Sequence, residues 1–385
     1  MYYLTSNLYD QFNSFTQLKN LKIHESVNMS QTPSFYGAFR NSRNLQTLNI
    51  TNMQSNSSSG FYNTFYYDCN IQHLNLSTWN VSTSTGFSYM FCFCNNLQTL
   101  DVSTWNVSRG KTFFAMFRNC LNLQSVDTSN WNLANAINCE GMFADCNSLK
   151  TLNLSHFNLC KVTNLANMFA YCHSLTELNL STWNTNNVTN LRDTFISCSN
   201  LTNLDVSTWN TSKINNLYRT FCSCGISNLN LDKWIINNAT CTQTFSDSDI
   251  TSLNLSNWKV QNCSNMFSGC SLLTDINLSN WHSEYPLYWN MFYGCSNLVN
   301  IDTTNWTVAN TNTGDFNWMF GRCNNLSQAS ITNIARMFAN ITPSAHNNLN
   351  NGAWSSPFYY SNIQLNATTI GQDLVDQLTS IGWIL

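Results

Sequence analysis

Charged side chains are scarce: they make up 9% of 385 residues, with 16 Lys plus Arg, 19 Asp plus Glu and a net charge of −3. No run of basic residues occurs, so the chain offers no electrostatic footprint for nucleic acid. No apolar stretch approaches the roughly 18 residues from which a membrane-spanning helix is read. The opening MYYLTSNLYDQFNSF has neither a basic n-region nor an apolar core, and does not read as a signal peptide. Nothing assembles for catalysis either. The 6 histidines are scattered, and no nucleophile–base–orienter set, glycine-rich phosphate loop or isolated acid pair stands out. C-x-x-C is absent; Cys92-x-Cys94 and Cys222-x-Cys224 come nearest, and no histidine pair complements them. These absences predict a non-enzymatic chain without cofactor or metal.

Polarity comes instead from Asn, Ser and Thr, a composition that ordinarily signals disorder. Here 14% of residues are aromatic and the apolar ones hold fixed columns. Phe39, Phe65, Phe91, Phe117, Phe143, Phe169, Phe195 and Phe221 lie 26 residues apart. Phe12 precedes them by 27, and Phe245, Phe267, Phe292 and Phe320 follow at 24, 22, 25 and 28. A period of 20 to 50 residues marks a solenoid, in which each repeat is one coil stacked on the last. The repeat reads M/T-F-x-x-C-x-x-L-x-x-L-x-L-S-x-W-N, and the run from Met90 to Trp105 is a full copy. The sequence therefore predicts one elongated α/β solenoid of about 13 coils over residues 1–338, with a C-terminal capping segment over 339–385.

Within a coil, L-x-L alternation such as Leu100-Asp101-Val102 predicts a short parallel strand with one buried face. The Met-Phe-x-x-Cys stretch lacks alternation and spaces Phe and Cys by three, which predicts a helical or 3₁₀ turn on another face. Parallel crossovers are right-handed, so the superhelix is expected to be right-handed. Apolar residues two after the tryptophan (Val81, Val107, Leu133, Leu159) and five after it (Val162, Val188, Ile214) supply a third inward corner. The chain opens inside a coil, with Phe12, Phe15, Leu18, Leu21 and Ile23 already in pattern, so an uncapped first coil is expected, from a processed or partial chain or one that docks on a partner. At the other end a short capping helix near 369–381 places Leu374, Leu378 and Ile381 on one face, is stopped by Gly382, and leaves Trp383 and Ile384 to tuck under the last coil.

Four columns are candidates for chemistry. Cys94, Cys120, Cys146, Cys172, Cys198, Cys224, Cys270, Cys295 and Cys323 share one slot, filled elsewhere by Phe15, Ser42, Asp68 and Ser248. A disulfide ladder is geometrically possible, but each cysteine would have two equivalent neighbours, so a buried reduced spine is expected, with bridges at most among outliers such as Cys69, Cys92, Cys139 and Cys160. Phe91, Phe117, Phe143, Phe169 and Phe195 read as core, as do Trp79, Trp105, Trp131, Trp183 and Trp209, although exposed sugar-binding tryptophans are the alternative. The serines after each strand are expected to satisfy turn amides. The outward strand position carries Asn75, Asp101, Asp127, Asn153, Asn179, Asp205, Asn230, Asn254, Asn277 and Asp302. It reads either as an amide ladder running up the stack or as a ligand-facing stripe for a cation, glycan or protein, with Thr99, Ser125, Thr151, Glu177 and Asn203 beside it.

STWNVS at 77–82 and 103–108, KVTNLANMFAYCHSLTELNLS at 161–181 and SNMFSGCSLLTDINLSNW at 264–281 closely resemble the 26-residue bacterial surface protein repeat of the BspA-like leucine-rich-repeat surface proteins, also called the Mycoplasma lipoprotein-type repeat. The similarity covers about residues 12 to 338, and the C-terminal 25 residues also look like that family's terminal segment. Members usually carry Gly two residues after the Phe, where this chain mostly does not, and here Asn largely replaces Asp. The resemblance implies a binding or adhesion surface for protein or glycan at a cell or virion surface. The rival expectation is a structural component of a virion or extracellular assembly, stacking through its ends and flanks.

Overall fold

The computed structural model describes residues 10, 12–22, 34–50, 53–54, 60–67, 70–283, 287–308, 316–341, 356–358 and 361–385. They group into two compact units, residues 1–188 with 194–204, and residues 189–193 with 205–385. The sequence led to one undivided repeat domain. A stack whose coils touch only their neighbours has no contacts tying first to last, so length alone permits such a division.

The first unit is built on three-residue parallel strands: β1 (Asn20–Lys22), β2 (Thr47–Asn49), β3 (His73–Asn75), β4 (Thr99–Asp101), the two-residue β5 (Ser125–Val126) and β6 (Glu177–Asn179). Strand β7 (Asn203–Asp205) pairs with β6. The repeat keeps identical columns in register, with Leu74 opposite Leu100 and Leu100 opposite Val126. In β3, β4, β6 and β7 the central leucine is buried and its neighbours face outward, as at Thr99-Leu100-Asp101, while Leu21 and Leu48 in β1 and β2 are half-buried.

The second unit carries two strand columns. In chain order its strands are β8 (Ile236–Ala239), β9 (Ser252–Asn254), β10 (Trp258–Val260), β11 (Asp275–Asn277), β12 (His282–Ser283), β13 (Asn300–Asp302) and β14 (Thr307–Val308). The leucine-face sheet runs β9-β11-β13, and β8-β10-β12-β14 form a further parallel sheet after the tryptophan. That second sheet was not read from the sequence.

The coil count also differs. Strands β1 to β7, β9, β11 and β13 give ten stranded coils on the leucine face, against about thirteen expected. After Phe143, residues 151–154 form no strand, and Lys150 N reaches Gln124 O only at 3.4 Å. After Phe221 the rung shrinks to a bridge between Asn228 and Ser252. After Phe320 a helix, α1 (Gln328–Ala339), takes the strand's place. Its sequence loses the L-x-L alternation, buries Ile334, Met337 and Phe338 at helical spacing, and is capped by Ser327, whose side chain accepts from Ser330 N.

The Met-Phe-x-x-Cys segments are not helical or 3₁₀ turns. Each is a run of consecutive β-turns with left-handed residues two before and two after the phenylalanine, such as Tyr89 (φ 57°) and Phe93 (φ 64°). Tyr89, Phe91 and Phe93 donate their N–H to Phe114, Met116 and Arg118 of the next coil, while Met90, Cys92 and Cys94 donate to the carbonyl three residues back. A helix would direct every amide inside its own coil. Left-handed residues turn alternate amides along the stack, so the amides of residues 89–94 all find partners. The same positions are glycine at Gly37, Gly141, Gly269 and Gly294, which explains the preference for Gly two after the Phe. At Gly269 the room is also needed, because Asp247 Oδ1 would lie 2.2 Å from a Cβ.

The C-terminal segment holds α2 (Ala367–Ile370), with an Asn366 capping box, and α3 (Gln372–Ser380), separated by Gly371 at φ 84°. Leu378 is fully buried, whereas Ile381 is 37% exposed. Trp383 is buried and donates from Nε1 to Phe338 O (3.1 Å) and Ile341 O (3.3 Å). Ile384, expected beside it, is 59% exposed. Among the described residues no helix is long and apolar enough to cross a membrane.

Candidate binding surface

The apolar columns are all turned inward. Phe91, Phe117, Phe143, Phe169 and Phe195 are buried, and Phe91 and Phe117 stack at 5.4 Å with 2° between planes. Trp79, Trp105, Trp131, Trp183 and Trp209 are at most 3% exposed, so they offer no sugar platform. Trp105 and Trp131 stack at 6.2 Å, and Trp105 Nε1 donates to Leu76 O in the preceding coil (3.0 Å). Trp131 and Trp258 bury Nε1 without a partner among the described residues.

The cysteine column is a hydrogen-bonding spine. Cys94, Cys120, Cys146, Cys172 and Cys198 donate from Sγ to the carbonyls of Phe65, Phe91, Phe117, Phe143 and Phe169, at 3.0–3.2 Å. Ser42 makes the same contact to Phe12 O at 2.7 Å, which shows what the slot selects: a small donor. Burial pushes the Cys120 and Cys146 thiols well above their ordinary range and Cys172 up to about 12, so they stay protonated and unreactive. All fifteen cysteines among the described residues are free thiols; Cys69 and Asp68 lie outside them.

The Asn/Asp stripe is exposed or half-buried, but it is not an amide ladder. Each side chain folds back on its own coil. Asn75 Oδ1 accepts from Ser77 N (2.9 Å) and Ser77 Oγ (2.7 Å), and Asp101 accepts likewise from Ser103 (3.2 and 2.8 Å). Backbone amides two residues on also serve Asp127, Asn153, Asn179, Asp205, Asn230, Asn254, Asn277 and Asp302. These are Asx turns, which Asp and Asn make equally well, and that accounts for the mixture along the stripe. The serine hydroxyls that bond here donate to the stripe and do not accept from turn amides. The Ser129 amide and hydroxyl hold the Asp127 carboxyl below its ordinary pKa. Side chains do bridge coils elsewhere: Asn96 Nδ2 donates to Asn70 Oδ1 and Asn70 Nδ2 to Asn44 Oδ1, at 3.2 and 3.4 Å.

In the first unit this strand face opens a shallow hollow of about 570 Å³, lined by His73, Leu74, Asn75, Thr99, Leu100, Asp101, Ser103, Ser125 and Asp127. His73 Nδ1 lies 2.9 Å from Thr99 Oγ1, tying adjacent rungs. A second cluster escaped the sequence reading: Arg192, Asp193, Tyr218 and Arg219, in the slots three and two before Phe195 and Phe221. Charge at three of these four positions, Arg192, Asp193 and Arg219, within so uncharged a chain, is the signal that would have found it. Among the described residues no group of three or more His, Cys, Asp or Glu could hold a metal ion.

No curated protein matches the chain. Among solved structures, it is similar to a leucine-rich repeat protein from Bacteroides ovatus ATCC 8483, with 16% identity, coverage of 81% of this chain and 74% of that one, and a TM-score of 0.41. It is also similar to an internalin (inlF) from Listeria monocytogenes, with 15% identity, 77% and 83% coverage and a TM-score of 0.27. The functional domain of InlJ from the same species, described as including a cysteine ladder, matches at 13% identity, with 92% and 66% coverage and a TM-score of 0.22. Residues 28–153, 137–258 and 242–334 each match one family model, and the chain belongs to that family, described as "Mycoplasma protein of unknown function, DUF285".

Proposed function

We propose that the protein is a non-enzymatic binding module whose strand face in the first unit contacts a protein or glycan partner. The observation that supports this is the division of labour within each coil. Every apolar column is spent on the interior, while β3 to β5 present His73, Thr99 and Ser125 beside Asn75, Asp101 and Asp127, in register over one hollow. The Asx turns fix the stripe carboxyl and amide groups, so a partner would order few side chains on binding. The resemblance to bacterial surface-protein repeats supports a place at a cell or virion surface.

The test is an array of host-surface proteins and glycans probed with the full chain, and with a variant combining Asp101→Asn and Asp127→Asn. Asparagine keeps the Oδ1 that the turns need, so the melting temperature should hold while any ligand reading the charge loses about tenfold or more in affinity, the worth of one charged hydrogen bond. A Thr99→Arg variant blocks the hollow whatever the charge. A ligand indifferent to both variants removes the strand face from the reading.

A further inference from the structure

The cluster at Asp193 differs from a simple ion pair. Asp193 exposes only 6% of its side chain, and it joins two guanidinium groups. Arg219 meets it side-on, Nε to Oδ1 at 2.8 Å and Nη2 to Oδ2 at 3.3 Å. Arg192 spends only Nε on it, 3.0 Å from Oδ2. Both guanidinium groups also lie against the Tyr218 ring, at 5.2 Å for Arg192 and 4.7 Å for Arg219. One carboxylate against two guanidinium groups leaves a surplus positive charge. That charge sits on Arg192, whose Nη groups have no hydrogen-bond partner among the described residues and whose side chain is 52% exposed.

Held by a carboxylate at Nε and a ring on one face, the Arg192 fork is pre-oriented for two-pronged recognition of an oxyanion. It borders a hollow of about 540 Å³ whose other lining residues are Asn215, Asn216, Tyr218 and Thr240. Asn216 commits Oδ1 to the Tyr218 amide (3.0 Å), which leaves its Nδ2 as a donor. The lining thus offers donors and no carboxylate; the Asp193 carboxylate that Arg219 and Arg192 share is not part of it. By contrast, Arg118 meets Asp145 one-to-one at 3.6 Å, with no surplus charge.

The geometry points to a binding site for a tetrahedral oxyanion, phosphate or sulfate, at Arg192 in the second unit. It is independent of the strand-face reading, since it uses other residues of the coil in the other unit. Equilibrium dialysis of the full chain against labelled inorganic phosphate tests it. Saturable binding of one equivalent is expected, displaced by sulfate and not by chloride at matched ionic strength. Arg192→Ala should weaken it at least tenfold, Arg192→Lys by less, because lysine keeps the charge and loses the fork, and Arg118→Ala should leave it unchanged. Competition by phosphoserine or glucose 6-sulfate at least as strong as by the inorganic ions would assign the site to an ester on a larger molecule; weaker competition would assign it to the free anion. Arg192→Ala that melts like the parent chain and binds phosphate undiminished overturns the proposal, as does displacement by chloride equal to that by sulfate.

Discussion

Two stretches of the molecule solve the same problem, turning the chain after the buried aromatic, in different ways. From Trp79 to Trp209 the next residue is always Asn: Asn80, Asn106, Asn132, Asn158 (after Phe157), Asn184 and Asn210. Each accepts from the backbone amide two residues on, making a corner. From Trp234 onward the next residues are Ile235, Lys259, His282 and Thr307, and the chain runs straight into β8, β10, β12 and β14. Length does not decide this, because Trp258 and Trp306 precede their phenylalanines by 9 and 14 residues and both lead into strands. A single side-chain acceptor does. Without it the amide must pair with a neighbouring coil, and the result is a sheet. The same logic explains the Asn-x-Ser triplets at Asn80, Asn106 and Asn210: they are turn signatures first, whatever else they resemble.

The largest expected effect probes what the two stretches share. Trp105→Ala and Trp258→Ala should each cost about 3–5 kcal/mol in chaotrope unfolding, as deletion of a buried indole does. Replacement by Phe separates them. Trp105→Phe also loses the bond to Leu76 O and should cost about 1 kcal/mol more than Trp258→Phe, whose Nε1 has no partner. Equal costs would remove that hydrogen bond from the account.

Cysteine comes next. Cys146→Ala removes one of the two donors to the Phe117 carbonyl, which still accepts from Cys120 N, and should cost about 0.5–1.5 kcal/mol, whereas Cys146→Ser, which keeps the donor as Ser42 does, should recover part of it. If Ser is worse than Ala by thermal melting, the slot selects apolar volume and not a donor.

The corner itself should be worth about 1 kcal/mol, the size of one hydrogen bond, so Asn106→Ala loses that much while Asn106→Asp is nearly neutral. Lys259→Ala, in the straight stretch, should stay within about 0.5 kcal/mol. Comparable losses at both positions would erase the distinction between corner and strand.

A smaller and opposite change is expected at Ala115, held at φ 51°. Ala115→Gly relieves about 1–2 kcal/mol of left-handed crowding and forfeits about 0.5–1 kcal/mol of chain entropy. A slight gain in melting temperature should follow, where Ala136→Gly, outside the left-handed positions, should lose stability.

The smallest effect is on acid stability. Asp127, in a corner coil, is held below its ordinary pKa by the Ser129 amide and hydroxyl, and Asp275, in a strand coil, by the Thr274 hydroxyl and the Asn300 amide. A depressed carboxyl pKa stabilises the fold above the unfolded value and loses that contribution as pH falls through the folded value. Asp127→Asn and Asp275→Asn should therefore each flatten slightly the fall in melting temperature below the ordinary carboxylate pKa of 3.8. Both groups are almost wholly exposed, so solvent screening keeps the change small.

The repeat, its inward columns and the strands of ten coils were legible in the sequence because burial acts on one residue at a time. Phe91, Trp105, Leu100 and Cys120 must leave water whatever their neighbours do, and their spacing alone says so. The left-handed turns around each phenylalanine were not legible, since Tyr89, Ala115 and Arg219 give no local sign of positive φ; only the demand of the next coil for an amide imposes it. Nor was the destination of the amide side chains. Asn75 and Asn96 are the same residue type on the same coil system, yet one closes its own turn and the other reaches Asn70 of its neighbour. The choice rests on which partner the folded backbone brings within hydrogen-bond reach. Burial is a property of the residue, and so the sequence by itself determined the columns. Pairing is a property of two places at once, and so the turns, the second sheet and the Arg192 cluster were decided only when the coils stacked.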